Sequence, residues 1–129
     1  MLRFILFPLL FLAACGPEAR ELNVSVPAPA TALTCVERTA TELGYAVARD
    51  GPEDRLRVER QLKWTKHTPV HRWNRIEAWL EQENELRLSA GTLARYASRE
   101  LTGRLAAPDA TLGADLQKIE GQCSRSRET

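Results

Sequence analysis

The sequence predicts an α+β fold: a small four-stranded antiparallel sheet with an N-terminal and a C-terminal helix packed on one face. Apolar residues recur at helical spacing near both ends of residues 31–124, and they alternate with polar residues in between. Turn-forming clusters such as Asp50-Gly51-Pro52 separate the alternating stretches. A sheet with one apolar face needs cover on that face, and two amphipathic helices would supply it. Residues 31–124 are therefore expected to form a single domain.

The first helix is predicted over residues 31–44, where the apolar positions fall on one side: Leu33, Val36, Ala40 and Leu43. Thr31 or Thr34 is a candidate for its N-cap, and Thr34 with Glu37 fits a capping box. Gly44 is a natural C-terminal stop.

Four strands are predicted next, over residues 45–50, 55–64, 73–81 and 86–97. Residues 74–83 also suit a helix by composition, but Leu86 and Leu88 supply an antiparallel partner, which favours a strand. Gly91 indicates a bulge or bend in the last strand. Arg60 interrupts the apolar face of the second strand, so it is expected at the sheet margin or with its stem buried and its head in water.

The last helix follows a polar connection over residues 98–108, with Asp109 as its predicted N-cap. Its apolar positions recur at helical spacing and include a cysteine: Leu112, Leu116, Ile119 and Cys123. Residues 125–129 are expected to be a flexible tail.

Residues 1–14 have the layout of a secretory signal peptide, with Arg3, then an apolar run, then small residues. Its last residues, Leu12-Ala13-Ala14, lead into Cys15 and resemble the lipobox of bacterial lipoproteins. This resemblance implies that Cys15 receives a diacylglycerol on its sulfur and becomes the first residue of the mature chain. Gly16 differs from the Asp of an inner-membrane retention signal, so the resemblance implies a cell-envelope protein on the outer membrane, facing the periplasm. Residues 15–30 are then the lipidated cysteine and a Pro-rich tether.

With Cys15 lipidated, two cysteines remain, Cys35 and Cys123. The compartment implied by the lipobox is oxidising, so a disulfide between them is expected. Two separate buried thiols are the alternative. A redox role is disfavoured because the chain has no Cys-x-x-Cys motif.

The charge distribution excludes one class of partner and suggests another. Removal of residues 1–14 leaves equal numbers of basic and acidic residues, which argues against a nucleic-acid partner. Residues 55–75 are nevertheless basic, since a single acidic residue, Glu59, stands among seven basic ones: Arg55, Arg57, Arg60, Lys63, Lys66, Arg72 and Arg75. They predict either an anion-binding face or cross-strand ion pairs, with Lys63 opposite Glu77 and Arg57 opposite Glu83.

No motif for catalysis stands out in the sequence, so a non-enzymatic role without a cofactor is expected. His67 and His71 are separated by Pro69 and lack a neighbouring carboxylate, which argues against a metal site.

Tryptophan side chains are the remaining candidates for contact with another molecule. Trp64 is expected in the core, and Trp79 is expected on the sheet face opposite the helices, near Arg87 or Arg95. An exposed Trp79 would suit contact with an envelope protein partner, whereas a Trp79 stacked on arginine would be structural.

The leading expectation is therefore an accessory module that holds an envelope protein. Its candidate contact residues are Trp79, Arg57, Lys63, Arg72, Arg75 and Arg87. The alternative is binding of an anionic envelope ligand, such as lipopolysaccharide, peptidoglycan or a phospholipid headgroup, through the basic hairpin 55–75. The sequence leaves the oligomeric state open.

Overall fold

The computed structural model describes residues 20–48, 54–62, 70–81, 84–96 and 104–124. Over these residues the chain forms an antiparallel sheet and two helices, which confirms the α+β class. The sheet has six described strands rather than the four that the sequence predicts. In chain order the elements are β1 (Glu21–Pro27), α1 (Ala32–Glu42), β2 (Ala46–Val47), β3 (Leu56–Gln61), β4 (Val70–Glu81), β5 (Glu85–Tyr96), β6 (Arg104–Ala106) and α2 (Leu112–Cys123).

The spatial order of the sheet is β1-β5-β4-β3-β2, and every pair is antiparallel. Strand β1 pairs with the first half of β5, from Glu21 opposite Gly91 to Pro27 opposite Glu85. Strand β6 pairs with the second half of β5, where Leu105 lies opposite Leu93. The two strands that the sequence does not predict therefore share one edge of the sheet.

Strand β1 corrects the expected length of the tether. Residues 15–30 are expected to be a tether, but Glu21–Pro27 forms a strand and Ala28 is fully buried. The reason is the alternation of Leu22, Val24 and Val26, which pack against the core from one side of the strand. The folded domain thus includes most of the segment assigned to the tether.

Both helices pack on the same face of the sheet and against each other. Helix α1 buries Val36 and Ala40, and α2 buries Leu116 and Ile119. The sheet contributes alternate residues of its three central strands: Val58, Ile76, Ala78, Leu86, Leu88 and Ala90. Among the described residues, no helix is long and apolar enough to cross a membrane.

The two helices are linked by the pair of cysteines that the sequence singles out. The sulfur atoms of Cys35 and Cys123 lie 2.14 Å apart and their Cα atoms 5.6 Å apart, at disulfide distance. Cys35 lies in α1 and Cys123 is the last residue of α2. The pair therefore encloses strands β2 to β6 and leaves β1 outside the closed loop.

Strands β4 and β5 form the central hairpin. The strand interpretation of residues 74–83 is confirmed as far as Glu81, since β4 runs from Val70 to that residue. The expected bulge at Gly91 is wrong, because the β4–β5 register continues without interruption on both sides of it. Glycine is instead needed for space, since a Cβ atom there would lie 2.7 Å from Cδ2 of Leu105.

The β3–β4 register differs from the one that the sequence suggests. Arg57 lies opposite Glu77 rather than Glu83, and Glu59 lies opposite Arg75. The observed register is shifted by six residues along β4 from the predicted one, and its last pair is Gln61 opposite Trp73. Cross-strand charge pairing therefore occurs, but with different partners. Lys63, expected opposite Glu77, lies outside the described residues, as do Trp64 and Lys66.

Gly44 ends α1 with a φ of +96°, in the region that favours glycine. Gly44→Ala is expected to lower the free energy of unfolding by about 1 to 2 kcal/mol, because a Cβ atom is strained at this φ. That atom would also lie 3.3 Å from Cδ of Arg60. Urea denaturation measures the loss.

Gly121→Ala is the matched control for Gly44→Ala. Gly121 lies in α2 and has nothing within 4 Å of its Cβ position, so alanine there should be neutral or stabilising by up to about 1 kcal/mol. Equal effects of the two substitutions would contradict the assigned role of Gly44.

Candidate functional site

The candidate site is the sheet face opposite the helices, here called the open face. Residues of β3, β4 and β5 that alternate with the core positions contribute to it: Arg57, Glu59, Trp73, Arg75, Glu77, Trp79, Arg87, Ser89, Gly91 and Leu93. Both described helices pack on the other face. The open face therefore presents side chains that the core does not use.

Two cross-strand ion pairs organise the centre of the open face. Arg57 Nη2 lies 2.6 Å from Glu77 Oε2, and Arg75 Nε lies 2.8 Å from Glu59 Oε2. Each arginine is opposite its glutamate in the register. Such pairs contribute only about 0.2 to 1 kcal/mol each to stability. Their larger effect is to compensate the positive charge of these arginines.

Trp79 is held in place by polar neighbours. The guanidinium carbon of Arg55 lies 4.3 Å from the centroid of the Trp79 ring, and Trp79 Nε1 donates a hydrogen bond of 3.1 Å to Glu81 Oε1. Arg55 Nη1 also lies 3.3 Å from Glu77 Oε1. The ring is half-buried, so it remains available on its outer side while its orientation is fixed.

The sequence places Trp79 on the correct face but does not predict the arginine that stacks on it. Arg87 lies opposite Trp79 in the register and forms ion pairs of 3.6 Å with Glu81 and with Glu85. Arg95 lies instead over Trp73, 5.8 Å from its ring centroid. Arg55, which the sequence treats only as part of the basic hairpin, supplies the stacking contact.

Not all of the expected contact residues meet on this face. Arg57, Arg75, Arg87 and Trp79 share it. Arg72 is set apart from them, because strand alternation places it with Asn74 on the helix side of β4. Its charge there acts on Asp109, which precedes α2.

The predicted N-cap Asp109 is wrong, because the N-cap of α2 is Thr111, two residues later. Asp109 instead accepts hydrogen bonds from the backbone N–H and the hydroxyl of Thr111. The hydroxyl hydrogen bond is the largest of the effects that lower the pKa of the Asp109 carboxyl, and the charge of Arg72 adds to it. The carboxylate therefore stabilises the fold above about pH 4, and this stabilisation is lost as the pH falls further.

Asp109→Asn is therefore expected to reduce the loss of stability between about pH 4 and pH 2, because the amide keeps a hydrogen-bond acceptor but does not titrate. Thermal unfolding across this range measures the effect. Identical acid profiles for the wild type and the variant would contradict it.

A shallow pocket lies beside the central ion pairs, around Gly91. Its volume is about 140 Å³, and it is lined by Glu21, Arg75, Glu77, Ser89, Ala90, Gly91, Leu93 and Leu105. Pockets for small-molecule ligands usually measure about 300 to 1,000 Å³, so this one is better matched to a single side chain. The sequence does not predict it, because two of its walls belong to the unpredicted strands β1 and β6.

A polar cluster under the helices is the other feature that the sequence does not predict. The head of Arg60 is not simply hydrated, because it is bound to both helical segments, although the side chain remains 25% exposed. Its guanidinium lies 3.1 Å from Asp115 Oδ2 in α2 and donates to the Leu43 carbonyl at the end of α1. It also packs 4.9 Å from the ring centroid of Tyr45. Arg60 therefore connects β3 to both helices.

The cluster continues across the sheet through fully or nearly buried groups. The Tyr45 hydroxyl donates to Asp115 Oδ2 at 2.8 Å, and Thr92 Oγ1 donates to Asn74 Oδ1 at 2.7 Å. Burial, together with the bond to Asp115, raises the pKa of Tyr45 and keeps its hydroxyl protonated. Within the described part of the chain, every buried side-chain nitrogen and oxygen has a hydrogen-bond partner. This saturation is typical of a structural cluster.

The described residues contain no group of three or more His, Cys, Asp or Glu residues that could hold a metal ion. His71 lies in β4, whereas His67 and the lipobox cysteine Cys15 lie outside the described residues. The open face, with Trp79 near the end of β4, is thus the best-defined candidate for contact with another molecule. Comparison of the chain with protein-family models finds no match, and comparison with curated proteins finds none.

Proposed function

We propose that this chain is a lipid-anchored protein of the bacterial cell envelope, and that its domain is a non-catalytic module that holds a partner protein on the open face. The resemblance of residues 12–15 to a lipobox supports the anchor on Cys15, on the outer membrane facing the periplasm. An anchor of several acyl chains holds a protein firmly at a bilayer surface.

The observation that carries the binding role is the fixed position of Trp79. Its ring is half-buried, stacked against Arg55 and hydrogen-bonded to Glu81. Tryptophan and arginine are the residues most enriched at the energetic centres of protein interfaces. A side chain that is already ordered loses less entropy on binding, so this arrangement favours a partner.

The rest of the open face also suits a protein surface. Leu105 is 41% exposed at the rim of the pocket, and Trp73 is half-buried further along the same strand as Trp79. The pocket at Gly91 has room for one side chain of the partner. Apolar and aromatic groups surrounded by paired charges are characteristic of non-obligate protein interfaces.

The charges argue against the alternative of an anionic ligand. That alternative depends on the basic excess of residues 55–75, yet three of its arginines, Arg55, Arg57 and Arg75, form ion pairs with glutamates of the same face. Arg60 forms an ion pair with Asp115 on the helix side of the sheet. An anion would have to displace these carboxylates, which removes most of the electrostatic gain.

Site-specific photocrosslinking in the native envelope tests the proposal. The full-length chain would carry a photoreactive amino acid in place of Trp79, and a control chain would carry it in place of Lys118, which is exposed on α2. One envelope protein linked through position 79 and not through position 118 is expected. Recovery of no protein adduct, together with salt-sensitive binding to lipopolysaccharide, would contradict the proposal.

Once that partner is identified, Trp79→Ala is expected to weaken its affinity at least about tenfold, since a central tryptophan typically contributes 2 kcal/mol or more. The melting temperature should change little, because the ring lies outside the core cluster. Val47→Ala is the matched control, since Val47 is 45% exposed but belongs to the distant strand β2. Titration calorimetry measures both affinities, and equal losses would contradict the role of Trp79.

A further inference from the structure

Strand β1 forms one edge of the sheet, and no described strand pairs with its outer side. The direction of its backbone groups follows from one hydrogen bond, in which Ala28 N donates to Asn84 O at 2.8 Å. In an antiparallel pair the residues alternate between those that bond to the neighbour and those that point away. Since Ala28 bonds inward, Leu22, Val24 and Val26 also bond to β5. The backbone groups of Glu21, Asn23 and Ser25 therefore point outward.

The central stretch of this edge lacks the features that usually prevent strand pairing. Natural edge strands are short, or are protected by charged residues, proline or bulges. Strand β2, at the opposite end of the sheet, is only two residues long. Strand β1 has seven residues, and its central stretch Leu22–Val26 contains no charge and no proline. It is therefore a template for a further strand.

The side chains of β1 are complementary to a second copy of the same strand. If two β1 strands pair in antiparallel orientation about Val24, Leu22 lies opposite Val26 of the other copy, and Asn23 lies opposite Ser25. Leu22, Val24 and Val26 are only partly buried within one copy. In the pair, the same residues of the second copy would shield them from solvent. Glu21 would face Pro27, so no like charges would meet.

We propose that the outer edge of β1 pairs with the outer edge of β1 in a second copy of this chain, forming a symmetric dimer. The outward N–H and C=O groups of Asn23 and Ser25 bond to those of Ser25 and Asn23 in the other copy. A single two-fold axis beside Val24 relates the copies, as expected for an isologous interface. The axis is perpendicular to the sheet, so the two sheets become continuous and both open faces lie on one side.

Cysteine crosslinking of the full-length chain in its native membrane tests the proposed register. Residues directly opposite each other in a pair without mutual hydrogen bonds have Cα atoms about 4.5 Å apart, which suits a disulfide. Mild oxidation of the Val24→Cys variant should therefore give a covalent dimer. Asn23→Cys or Ser25→Cys alone should give at least about tenfold less dimer, whereas the two coexpressed variants should crosslink to each other.

Two substitutions of Ser25 test the role of the outward backbone. Ser25→Pro removes the outward N–H, whereas Ser25→Ala keeps it, and both lose the hydroxyl that donates to Glu85. Sedimentation of the full-length protein in detergent should show a monomer for Ser25→Pro and a dimer for Ser25→Ala, with similar melting temperatures. Trp79→Ala should remain dimeric, because the open face is not part of this interface.

Several results would overturn the proposal. A monomeric wild type, a dimeric Ser25→Pro variant, or a Val24→Cys chain that stays monomeric on oxidation would each exclude the β1 dimer. Crosslinking of Val24→Cys to a different envelope protein, or to residues 1–19 of its own chain, would assign the edge to another occupant.

Discussion

Replacing both Cys35 and Cys123 by alanine is expected to lower the free energy of unfolding by about 4 to 5 kcal/mol. The two cysteines are separated by 88 residues. A disulfide across such a long loop stabilises mainly by restricting the unfolded chain, and the chain-entropy model gives this magnitude. Small domains are stable by only about 5 to 15 kcal/mol, so the double variant is expected to be close to unfolding at physiological temperature.

Thermal unfolding with and without a reductant measures this effect. Reduction of the wild type should lower its melting temperature to that of the double variant, and the reductant should leave the double variant unchanged. The lipid proposed on Cys15 does not respond to the reductant, so it is the same in all four measurements. A reduced wild type that melts at the temperature of the oxidised protein would contradict the expected stabilisation.

The second large effect is expected at Arg60. Arg60→Ala should lower the free energy of unfolding by about 3 kcal/mol, because the largely buried Asp115 would lose its ion-pair partner. The side chain of Asp115 is 12% exposed and that of Arg60 is 25% exposed. The substitution also removes the hydrogen bonds from the guanidinium to Leu43 and Thr111. Urea denaturation measures the loss.

A double-mutant cycle separates the ion pair from the other contacts of Arg60. Arg60→Ala with Asp115→Ala should be less destabilising than the sum of the single substitutions, by about 0.5 to 3 kcal/mol. Arg38→Ala is the control, since Arg38 is exposed on α1 and should change stability by less than about 0.5 kcal/mol. Additive effects in the cycle would show that the two side chains act independently.

Arg60 also shows where sequence reasoning stops. Strand alternation places it on the core side of β3, where an arginine is anomalous. Its carboxylate partner is Asp115, in a helix much further along the chain, and no local pattern connects the two. Packing of α2 against the sheet creates the contact. The sequence therefore predicts an arginine on the core side of β3, but it does not predict the carboxylate that pairs with it.

For the candidate site too, the sequence predicts on which face a residue lies but not which residues it contacts. Period-two alternation suffices to put Trp79 on the face opposite the helices. The stacking of Arg55 on Trp79 depends on how β3 aligns with β4, and several alignments satisfy the same alternation. The β3–β4 alignment that the sequence suggests is wrong, so the ion-pair partners derived from it are also wrong. Cross-strand ion pairing itself does occur.

Strand β1 is missed for a different reason. Its alternation of Leu22, Val24 and Val26 is visible in the sequence, but Pro17, Pro27 and Pro29 around it favour a tether. Pro27 is compatible with a strand because it lies at the last position, at the edge of the sheet. Proline thus marked the end of this strand rather than the absence of one.

The early start of β1 changes how far the domain can move from a bilayer. A tether through residue 30 would reach about 50 Å, but a lipid on Cys15 would be joined to Glu21 by a chain that spans at most about 20 Å. The start of β1 lies beside Gly91 and Leu105, so this end of the open face would stay near the headgroups. A partner bound there would therefore lie close to the membrane surface.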